Sequence, residues 1–165
     1  MLGLFHKKEE KGIVAPCTGI CVNLSEVEDP AFASKAMGDG FAVKPEEDVI
    51  CAPMSGTVTM LFATKHAFGL KSRSGIEMLV HIGIDTVSLN GEGFTALVKE
   101  GAKVTAGDPV IRVDRKALEE KGVNLTTMVL FTDGYDKEVQ LTLYGQKIEK
   151  ADSAEAAKAS AVRIC

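Results

Sequence analysis

The chain has few aromatic residues and no long apolar run. Aromatic side chains make up 5% of its 165 residues, with two tyrosines and no tryptophan. No apolar segment approaches the roughly 20 residues that a membrane-spanning helix requires. Lysine and arginine are outnumbered by aspartate and glutamate, and the formal net charge is -4. A nucleic-acid surface needs a basic patch, so this charge balance argues against nucleic acid as a partner.

The cysteines show neither a CxxC pair nor histidines at zinc-finger spacing. The first twelve residues turn charged too early for a signal peptide. We therefore expect reduced thiols in a cytoplasmic protein, with Cys17 and Cys51 packed beside strands as small apolar side chains. We expect residues 1–12 to form a flexible leader and residues 13–165 to form a single domain.

Helical periodicity is scarce, whereas glycine is abundant at 16 residues. Short runs rich in valine, isoleucine, phenylalanine and threonine lie between the glycines, and this spacing is typical of an all-β, antiparallel sandwich or barrel. The clearest helical segment is DRKALEEKG (114–122), where Asp114 can cap the first turn and Gly122 can end the helix. An Ala-rich tail predicts a second short helix, followed by a last strand at 161–165.

Two pairs of segments repeat within the chain. VAPCTGICVNL at 14–24 resembles CAPMSGTVTML at 51–61, and GDGFAVKPEED at 38–48 resembles GEGFTALVKEG at 91–101. The copies are too few and too irregularly spaced for a solenoid. They predict a sheet architecture that is built from two related halves.

Two of the three histidines lie at the ends of TKHAFGLKSRSGIEMLVHIGID (64–85). SRSG is a strong turn signal, and a predicted strand lies on either side of it. With a two-residue turn, opposed residues have numbers that sum to 147, so His66 faces His81, with Phe68 and Leu79 on the same face. Directly opposed residues have Cβ atoms about 4.5–5.5 Å apart. A bulge in the turn would shift the pairing by one residue.

Three functions fit two opposed imidazoles. They can be a structural pair held by backbone groups, or His66, His81 and Asp85 can hold a metal ion such as zinc. The third is phosphoryl transfer, in which one neutral ring attacks and the other donates a hydrogen bond to the transferred group. Gly83 favours this third function, because it leaves backbone N–H groups open to a phosphate. Thr64 could hold a nitrogen of His66 and fix its tautomer, while Asp85 suits a rim charge facing a basic partner.

Much of the chain resembles a known family, the glucose-type enzyme IIA proteins of the bacterial phosphoenolpyruvate-dependent sugar phosphotransferase system. The matching segments lie between residues 13 and 145, and they are APCTG, MGDGFAVKP, APMSGTV, TKHAFG, SGIEMLVHIGIDTVSLNGEGF and GDPVIRVD. The resemblance implies a β-sandwich of two related halves, of the duplicated hybrid motif type, with short helical turns only.

The resemblance also implies a phosphocarrier. His81, in LVHIGID, would accept a phosphoryl group from the histidine phosphocarrier protein and pass it to a cysteine in the IIB domain of a sugar permease. His66, in KHAFG, would contact the phosphate, and Thr64 would orient His66. The transfer requires no metal or organic cofactor, although an opportunistic zinc ion could bind His66 and His81. The carrier would act in the cytoplasm, transiently at the inner face of the membrane, and the sugar and any regulatory targets are left open.

By motif position, the resemblance further implies one docking surface for both partners, apolar at its centre and acidic at its rim. Without the resemblance, Phe32 and Phe62 would be assigned to the core. The predicted docking residues are Phe32, Met37, Phe62, Leu79 and Val87, with Asp29 and Asp85 at the rim.

Two rival functions have weaker support. A biotin or lipoate carrier domain is consistent with APMSGTV and VKEGAKVTAGDPV, but it needs a lysine on a tight hairpin, where this chain has SRSG. A β-sheet zinc peptidase is consistent with the spacing of His81 and Asp85. It also needs an H-x-H pair, which the three histidines cannot supply.

Overall fold

The computed structural model describes residues 12–135 and the backbone of residues 147–148. These residues form short strands with two short helices, α1 (Pro30–Ala33) and α2 (Arg115–Glu120), and 3-10 turns at Leu24–Glu26 and Thr86–Leu89. The strands are β1 (Gly19–Val22), β2 (Asp39–Pro45), β3 (Val49–Cys51), β4 (Gly56–Leu61), β5 (Ala67–Lys71), β6 (Glu77–Ile82), β7 (Phe94–Ala96), β8 (Lys103–Val104), β9 (Pro109–Val113), β10 (Thr127–Asp133) and β11 (Lys147–Ile148). The prediction of an all-β fold with short helical turns is confirmed.

Two antiparallel sheets carry these strands. The larger has eight strands in the order β11-β1-β2-β10-β6-β5-β4-β8, and the smaller has three in the order β3-β9-β7. Within the described residues, β11 and β8 are edges of the large sheet, so the sheet does not close on itself. The architecture is therefore the sandwich, and the barrel alternative is wrong.

The large sheet is buried on both faces at its centre. Alternate residues of β6, including Val80, pack in the main core with residues from both sheets. The opposite face carries a second apolar cluster, which includes Phe32 of α1, Ala42 of β2 and Met128 of β10. Because β10 is covered on both sides, it reads as a continuous apolar run instead of an alternating one. This second cluster lies on the face from which His81 projects.

The first pair of repeated segments is related by a local two-fold arrangement. The Val14 N–H donates to the Pro53 carbonyl at 2.7 Å, and the Cys51 N–H donates to the Pro16 carbonyl at 2.6 Å. The same spacing along the chain separates Val14 from Cys51 and Pro16 from Pro53. Exchanging the two copies therefore converts one hydrogen bond into the other.

The strands that follow these segments also pair alike. Residues Gly19 and Ile20 of β1 pair with the two-residue β11, and Gly56 and Thr57 of β4 pair with the two-residue β8. A Cβ atom on Gly19 would lie 2.0 Å from the Lys44 carbonyl oxygen, and one on Gly56 would lie 2.3 Å from the Lys71 carbonyl oxygen. Each half thus needs a glycine where its first strand approaches the backbone of the neighbouring strand most closely.

The helix predicted at 114–122 is present, with the predicted ends. The Asp114 carboxylate accepts a hydrogen bond from the Ala117 N–H at 3.3 Å, and Gly122 has a positive φ of 79° just after the helix. Helix α1 was not predicted. It begins at Pro30, and the Asp29 side chain caps it by accepting from the Ala31 N–H at 2.9 Å.

The cysteines within residues 12–135 are buried free thiols, as expected. Cys51 lies in β3, and Cys17 precedes β1. Burial raises the pKa of the Cys17 thiol well above its ordinary value, and the neighbouring Cys51 and Glu47 add to this shift. The buried Cys17 and Cys51 side chains therefore pack as small apolar groups. The predicted last strand at 161–165, and nearly all of the predicted leader, lie outside the described residues.

We expect Gly56→Ala to destabilise the fold, because the new methyl group would meet backbone atoms of β5 that cannot move aside alone. The loss should reach ~3 kcal/mol, the upper end for overpacked sites. Gly101→Ala is the control for strain without a clash: no atom lies within 4 Å of the added carbon, and the positive φ of 88°, which Gly56 lacks, is the only obstacle there. It should cost only ~1–2 kcal/mol. Urea denaturation measures both, and equal losses would contradict the close approach.

Candidate functional site

The turn between β5 and β6 sets the register of the two histidines. It contains three residues, 73–75, because the Ser72 N–H donates to the Ile76 carbonyl at 2.9 Å and Gly75 takes a positive φ of 93°. As a result, Ala67 pairs with His81. The predicted pairing is therefore wrong by one residue, and the two-residue turn on which it depended is absent.

The shifted register also separates two residues that were predicted to share the histidine face. Phe68 pairs with Val80 and is fully buried in the main core. Leu79 pairs with Gly69 and projects to the opposite face, where it packs against the second cluster. The histidine face therefore carries Leu79 and not Phe68.

The two imidazole rings nevertheless meet. Their centroids lie 5.0 Å apart with the planes at 81°. His66 lies in a bend before the first residue of β5, so the strict alternation of a strand does not fix its direction. Lys65, just before it, has a positive φ of 57°, and the His66 carbonyl accepts a hydrogen bond from the Ile82 N–H at 2.7 Å. The bend thus brings His66 over to the face that carries His81.

Thr64 holds the His66 ring. The Thr64 hydroxyl lies 2.6 Å from Nδ1 of His66, and the ring is buried, with 4% of its surface exposed. When the hydroxyl donates to Nδ1, the proton of the neutral ring lies on Nε2. The edge of His66 also contacts Phe62 at a centroid distance of 5.2 Å. The ring therefore has one fixed orientation, with Nε2 available as a donor.

The His81 ring is oriented by a carbonyl group. Its Nδ1 lies 2.9 Å from the Gly83 carbonyl oxygen. A carbonyl can only accept, so Nδ1 must carry the proton. In the neutral ring, Nε2 then keeps its lone pair, which makes Nε2 the nucleophilic atom. His81 is half-buried, so this ring remains accessible at the surface.

Gly83 contributes its carbonyl and not its amide. Its N–H donates to the Thr126 carbonyl at 3.0 Å, so the prediction that this N–H is open to a phosphate is wrong. The loop that follows β6 pairs with residues 124–126, and this pairing uses the amide. Gly83 has a φ of 81°, and an added Cβ would lie 2.4 Å from Cγ2 of Thr86. Glycine is therefore required here for both conformation and space.

Three polar residues that sequence reasoning missed hold the Gly83 peptide in place. The Thr86 hydroxyl, fully buried, donates to the Ile82 carbonyl at 2.5 Å. The Asn124 side-chain oxygen accepts from the Thr126 N–H at 3.0 Å and from its hydroxyl at 2.7 Å. The available sequence signal was Asn-x-Thr, which is typical of an Asx turn. These bonds fix the carbonyl that sets the His81 tautomer.

Burial keeps both rings neutral near pH 7. It lowers the pKa of His66 below its ordinary value. Burial also lowers the pKa of His81, and the positive charge of a protonated His66 would lower it further. The hydrogen bond to Gly83 and the carboxylates of Asp29 and Asp85 raise the pKa of His81, but they only partly offset these effects.

Phe32 packs against the His81 ring. Its centroid lies 4.8 Å from that of His81, with the planes at 51°, and only 5% of its surface is exposed. The prediction of Phe32 as an exposed docking residue is therefore wrong, because α1 folds onto the sheet and buries it in the second cluster. Met128, which was also missed, is the direct partner of His81 on β10.

The remaining predicted docking residues lie at or near the surface. Met37 is 43% exposed and Val87 is 53% exposed. Asp85 is also exposed, whereas Asp29, Phe62 and Leu79 are half-buried. The carboxylates of Asp29 and Asp85 both raise the pKa of His81.

Within residues 12–135, no three histidine, cysteine, aspartate or glutamate side chains are arranged to hold a metal ion. The alternative of a zinc site formed by His66, His81 and Asp85 is therefore wrong. Two imidazoles alone leave a tetrahedral zinc ion without its other ligands.

No helix among the described residues is long and apolar enough to cross a membrane.

Comparison with known proteins agrees with this geometry. A sequence profile described as "phosphoenolpyruvate-dependent sugar phosphotransferase system, EIIA 1" matches residues 11–136. The chain belongs to this family. The EIIA resemblance seen in the sequence is thus confirmed, and the protein is a phosphotransferase-system component.

Individual relatives of this EIIA chain support the same assignment. A glucose-specific EIIA component from Bacillus cereus is 45% identical over 133 residues, which are 81% of this chain and 81% of that protein. The solved structure of glucose permease IIA from Mycoplasma capricolum matches with a TM-score of 0.80 and 38% identity, covering 92% of this chain and 96% of that chain. This likeness confirms the predicted fold class.

Some relatives carry the EIIA segment within a longer chain. A glucose-specific EIICBA component from Streptococcus pneumoniae is 53% identical over 116 residues, which are 70% of this chain and 16% of that protein. The EIIA unit therefore occurs covalently joined to EIIB and EIIC units in this relative. Such a fusion indicates that EIIA and EIIB act on each other.

Phe32→Ala should destabilise the protein by ~3–5 kcal/mol, the usual cost of removing a buried phenylalanine ring. It should also raise the pKa of His81, because the ring loses part of the burial that lowers it. Urea denaturation and a histidine NMR titration measure the two effects. Met37→Ala, at an exposed site, should change stability by no more than ~0.5 kcal/mol. Equal effects of the two variants would show that Phe32 is not buried against His81.

Acid should weaken the fold partly through the two histidines. The unfolded chain has histidine pKa values of about 6.5, above those of the folded chain, so it binds protons first as the pH falls. Their contribution to the free energy of unfolding is therefore present above pH ~6.5 and is lost as the pH falls through the folded pKa values. The His66→Gln/His81→Gln variant should lose less stability than the wild type between about pH 7 and about pH 5. Identical losses in urea denaturation would contradict the lowered pKa values.

Proposed function

We propose that this chain accepts a phosphoryl group on Nε2 of His81 from the histidine phosphocarrier protein and passes it to a cysteine in the IIB domain of a sugar permease. The observation that carries the proposal is the hydrogen bond between Nδ1 of His81 and the Gly83 carbonyl, with a second imidazole 5.0 Å away. In this arrangement His81 supplies the nucleophilic nitrogen, and the neighbouring His66 ring supplies a hydrogen-bond donor for the phosphoryl group.

The transfer is a substitution at phosphorus. The lone pair on Nε2 of neutral His81 attacks, a P–N bond forms, and the P–N bond to the donor's histidine breaks. The electron pair of that bond returns to the donor's ring. In the onward step, the thiolate of the IIB cysteine attacks phosphorus and the electron pair returns to His81. The Gly83 carbonyl supports both steps, because it stabilises the Nδ1 proton while Nε2 carries the phosphoryl group.

His66 stabilises the phosphoryl oxygens. With Thr64 donating to Nδ1, the proton on Nε2 of His66 can donate to a phosphoryl oxygen as negative charge builds up there. The donor is held in place before the reaction, so it needs no reorganisation at the transition state. Loss of one such donor costs ~2.7–4 kcal/mol where it has been measured. The His66 ring therefore promotes transfer without being the nucleophile.

Apolar side chains and rim charges explain how two partners use one site. The half-buried Phe62 and Leu79 and the exposed Met37 and Val87 supply apolar surface around the rings, whereas the buried Phe32 packs against His81 without forming part of that surface. A docked partner would remove water from the site, which its reacting atom must approach within about 3–3.5 Å. Apolar contacts are non-directional, so the same surface can accept two different proteins. Asp29 and Asp85 would steer a basic partner.

The names of the relatives indicate the sugar. Several free-standing relatives are glucose-specific EIIA components, so we assign this chain to a permease for glucose. Longer relatives are named for glucoside and for N-acetylglucosamine. The protein would act in the cytoplasm, docking transiently at the inner face of the membrane.

The test is phosphorylation with phosphoenolpyruvate, enzyme I and the histidine phosphocarrier protein, followed by intact-mass measurement before and after mild acid. We expect one acid-labile phosphoryl group, which His81→Gln abolishes. His66→Gln should still accept the group but pass it to the IIB domain ~10²–10³-fold more slowly, because one donor is lost. His6→Gln is the matched control and should behave as the wild type. Labelling of His81→Gln would refute the assignment of the acceptor, and wild-type transfer by His66→Gln would refute the role of the second ring.

A further inference from the structure

A groove of about 590 Å³ lies where β4, β8 and the β5–β6 turn come together. Ligand pockets commonly have volumes of about 300–1,000 Å³, so the groove can hold a small molecule. Its lining combines cationic and hydroxyl side chains, which include Lys71, Arg73, Lys103, Ser55, Thr57 and Thr59.

The sheet register directs two of the cations towards the same point. Lys103 of β8 pairs with Thr57 of β4, and Thr57 pairs with Lys71 of β5. Directly opposed residues project from the same face, with Cβ atoms about 4.5–5.5 Å apart. The Thr57 hydroxyl therefore lies between the bases of the two lysines. Arg73, in the adjoining turn, adds a third cation at one end of the row.

Residues 12–135 do not balance the charge of this groove. Its lining contains no acidic side chain. Arg73 and Lys103 form no ion pair with any residue between 12 and 135, whereas Lys71 has its Nζ 3.3 Å from Oε1 of Glu77. That pair is half-exposed, and exposed pairs of this kind are weak. Three cations thus gather in one groove of a chain whose net charge is -4, an arrangement that attracts an anion.

We propose that this groove binds the phosphate group of a ligand, which is either a soluble phosphate ester or an anionic lipid headgroup. Arg73 can donate two parallel hydrogen bonds to phosphate oxygens, the lysines supply point charges, and the Thr57 hydroxyl can donate a further bond. Glu77, the β6 partner of Lys71, is four residues from His81, a distance of about 13 Å along the strand. The groove is thus a second anion site, and it does not depend on the proposed phosphoryl transfer.

The first test titrates the ¹⁵N-labelled, unphosphorylated full chain with inorganic phosphate and with glycerol phosphate. Sodium chloride at matched ionic strength corrects for screening of charge. We expect saturable shifts of the amide signals of Thr57, Ser72, Arg73 and Lys103. Arg73→Gln/Lys103→Gln should weaken binding at least tenfold. Arg112→Gln/Lys116→Gln removes the same charge from the small sheet and α2, outside the lining of the groove, and should leave the affinity unchanged.

A second test uses vesicles of phosphatidylglycerol and phosphatidylcholine in equal amounts, with phosphatidylcholine vesicles as the control. Sedimentation with the anionic vesicles that depends on Arg73 and Lys103, without saturable glycerol phosphate binding, identifies a lipid headgroup. Saturable glycerol phosphate binding with the same dependence identifies a soluble ester. The proposal is overturned if neither probe binds, or if the Arg112→Gln/Lys116→Gln control weakens binding as much as the groove variant. Thermal melts of both variants test whether unfolding causes a loss of binding. Both variants should melt at the wild-type temperature, because all four side chains lie at the surface.

Discussion

The hydrogen bond from Nδ1 of His81 to the Gly83 carbonyl determines what the site can do. Without it, the neutral ring could carry its proton on either nitrogen, and the nucleophilic atom would be undefined. The bond requires a carbonyl that turns back towards the preceding strand, and this requires a glycine with a φ of 81°. Thr86, Asn124 and Thr126 then immobilise that peptide from the buried side. The tautomer of one half-buried ring thus depends on a network of buried and half-buried polar groups.

The two related halves explain how the surroundings of His81 are assembled. β1 and β4 follow equivalent segments, and the chain after each strand flanks the His81 ring from a different side. After β1 it forms α1, which places Phe32 against His81. After β4 it forms the bend that carries Thr64 and His66. Corresponding places in the two halves thus carry an apolar side chain, Phe32, and a hydrogen-bonding side chain, His66.

Local patterns in the sequence predicted the local features well. The caps of α2 and the relation between the first repeats follow from short segments. The proximity of His66 to His81 was predicted through a register that is absent, and the bend at Lys65 and His66 brings the rings together instead. The predicted register between β5 and β6 was wrong, because SRSG is consistent with a turn of two residues and with one of three. The structure has the three-residue turn, in which Gly75 takes a positive φ. The amide of Gly83 was misassigned because its acceptor, Thr126, is far away in the sequence.

Burial and charge act in opposite directions on His81, and the site needs both. Burial by Phe32 and the neighbouring cluster lowers the pKa of the ring, so that it is neutral and nucleophilic near pH 7. Asp29 and Asp85 raise that pKa, since they favour a positive ring. The same carboxylates would repel a phosphoryl group on Nε2, which carries negative charge. This repulsion raises the free energy of the phosphorylated state, and a carrier that must give up its phosphoryl group benefits from such a state, because onward transfer then becomes more favourable.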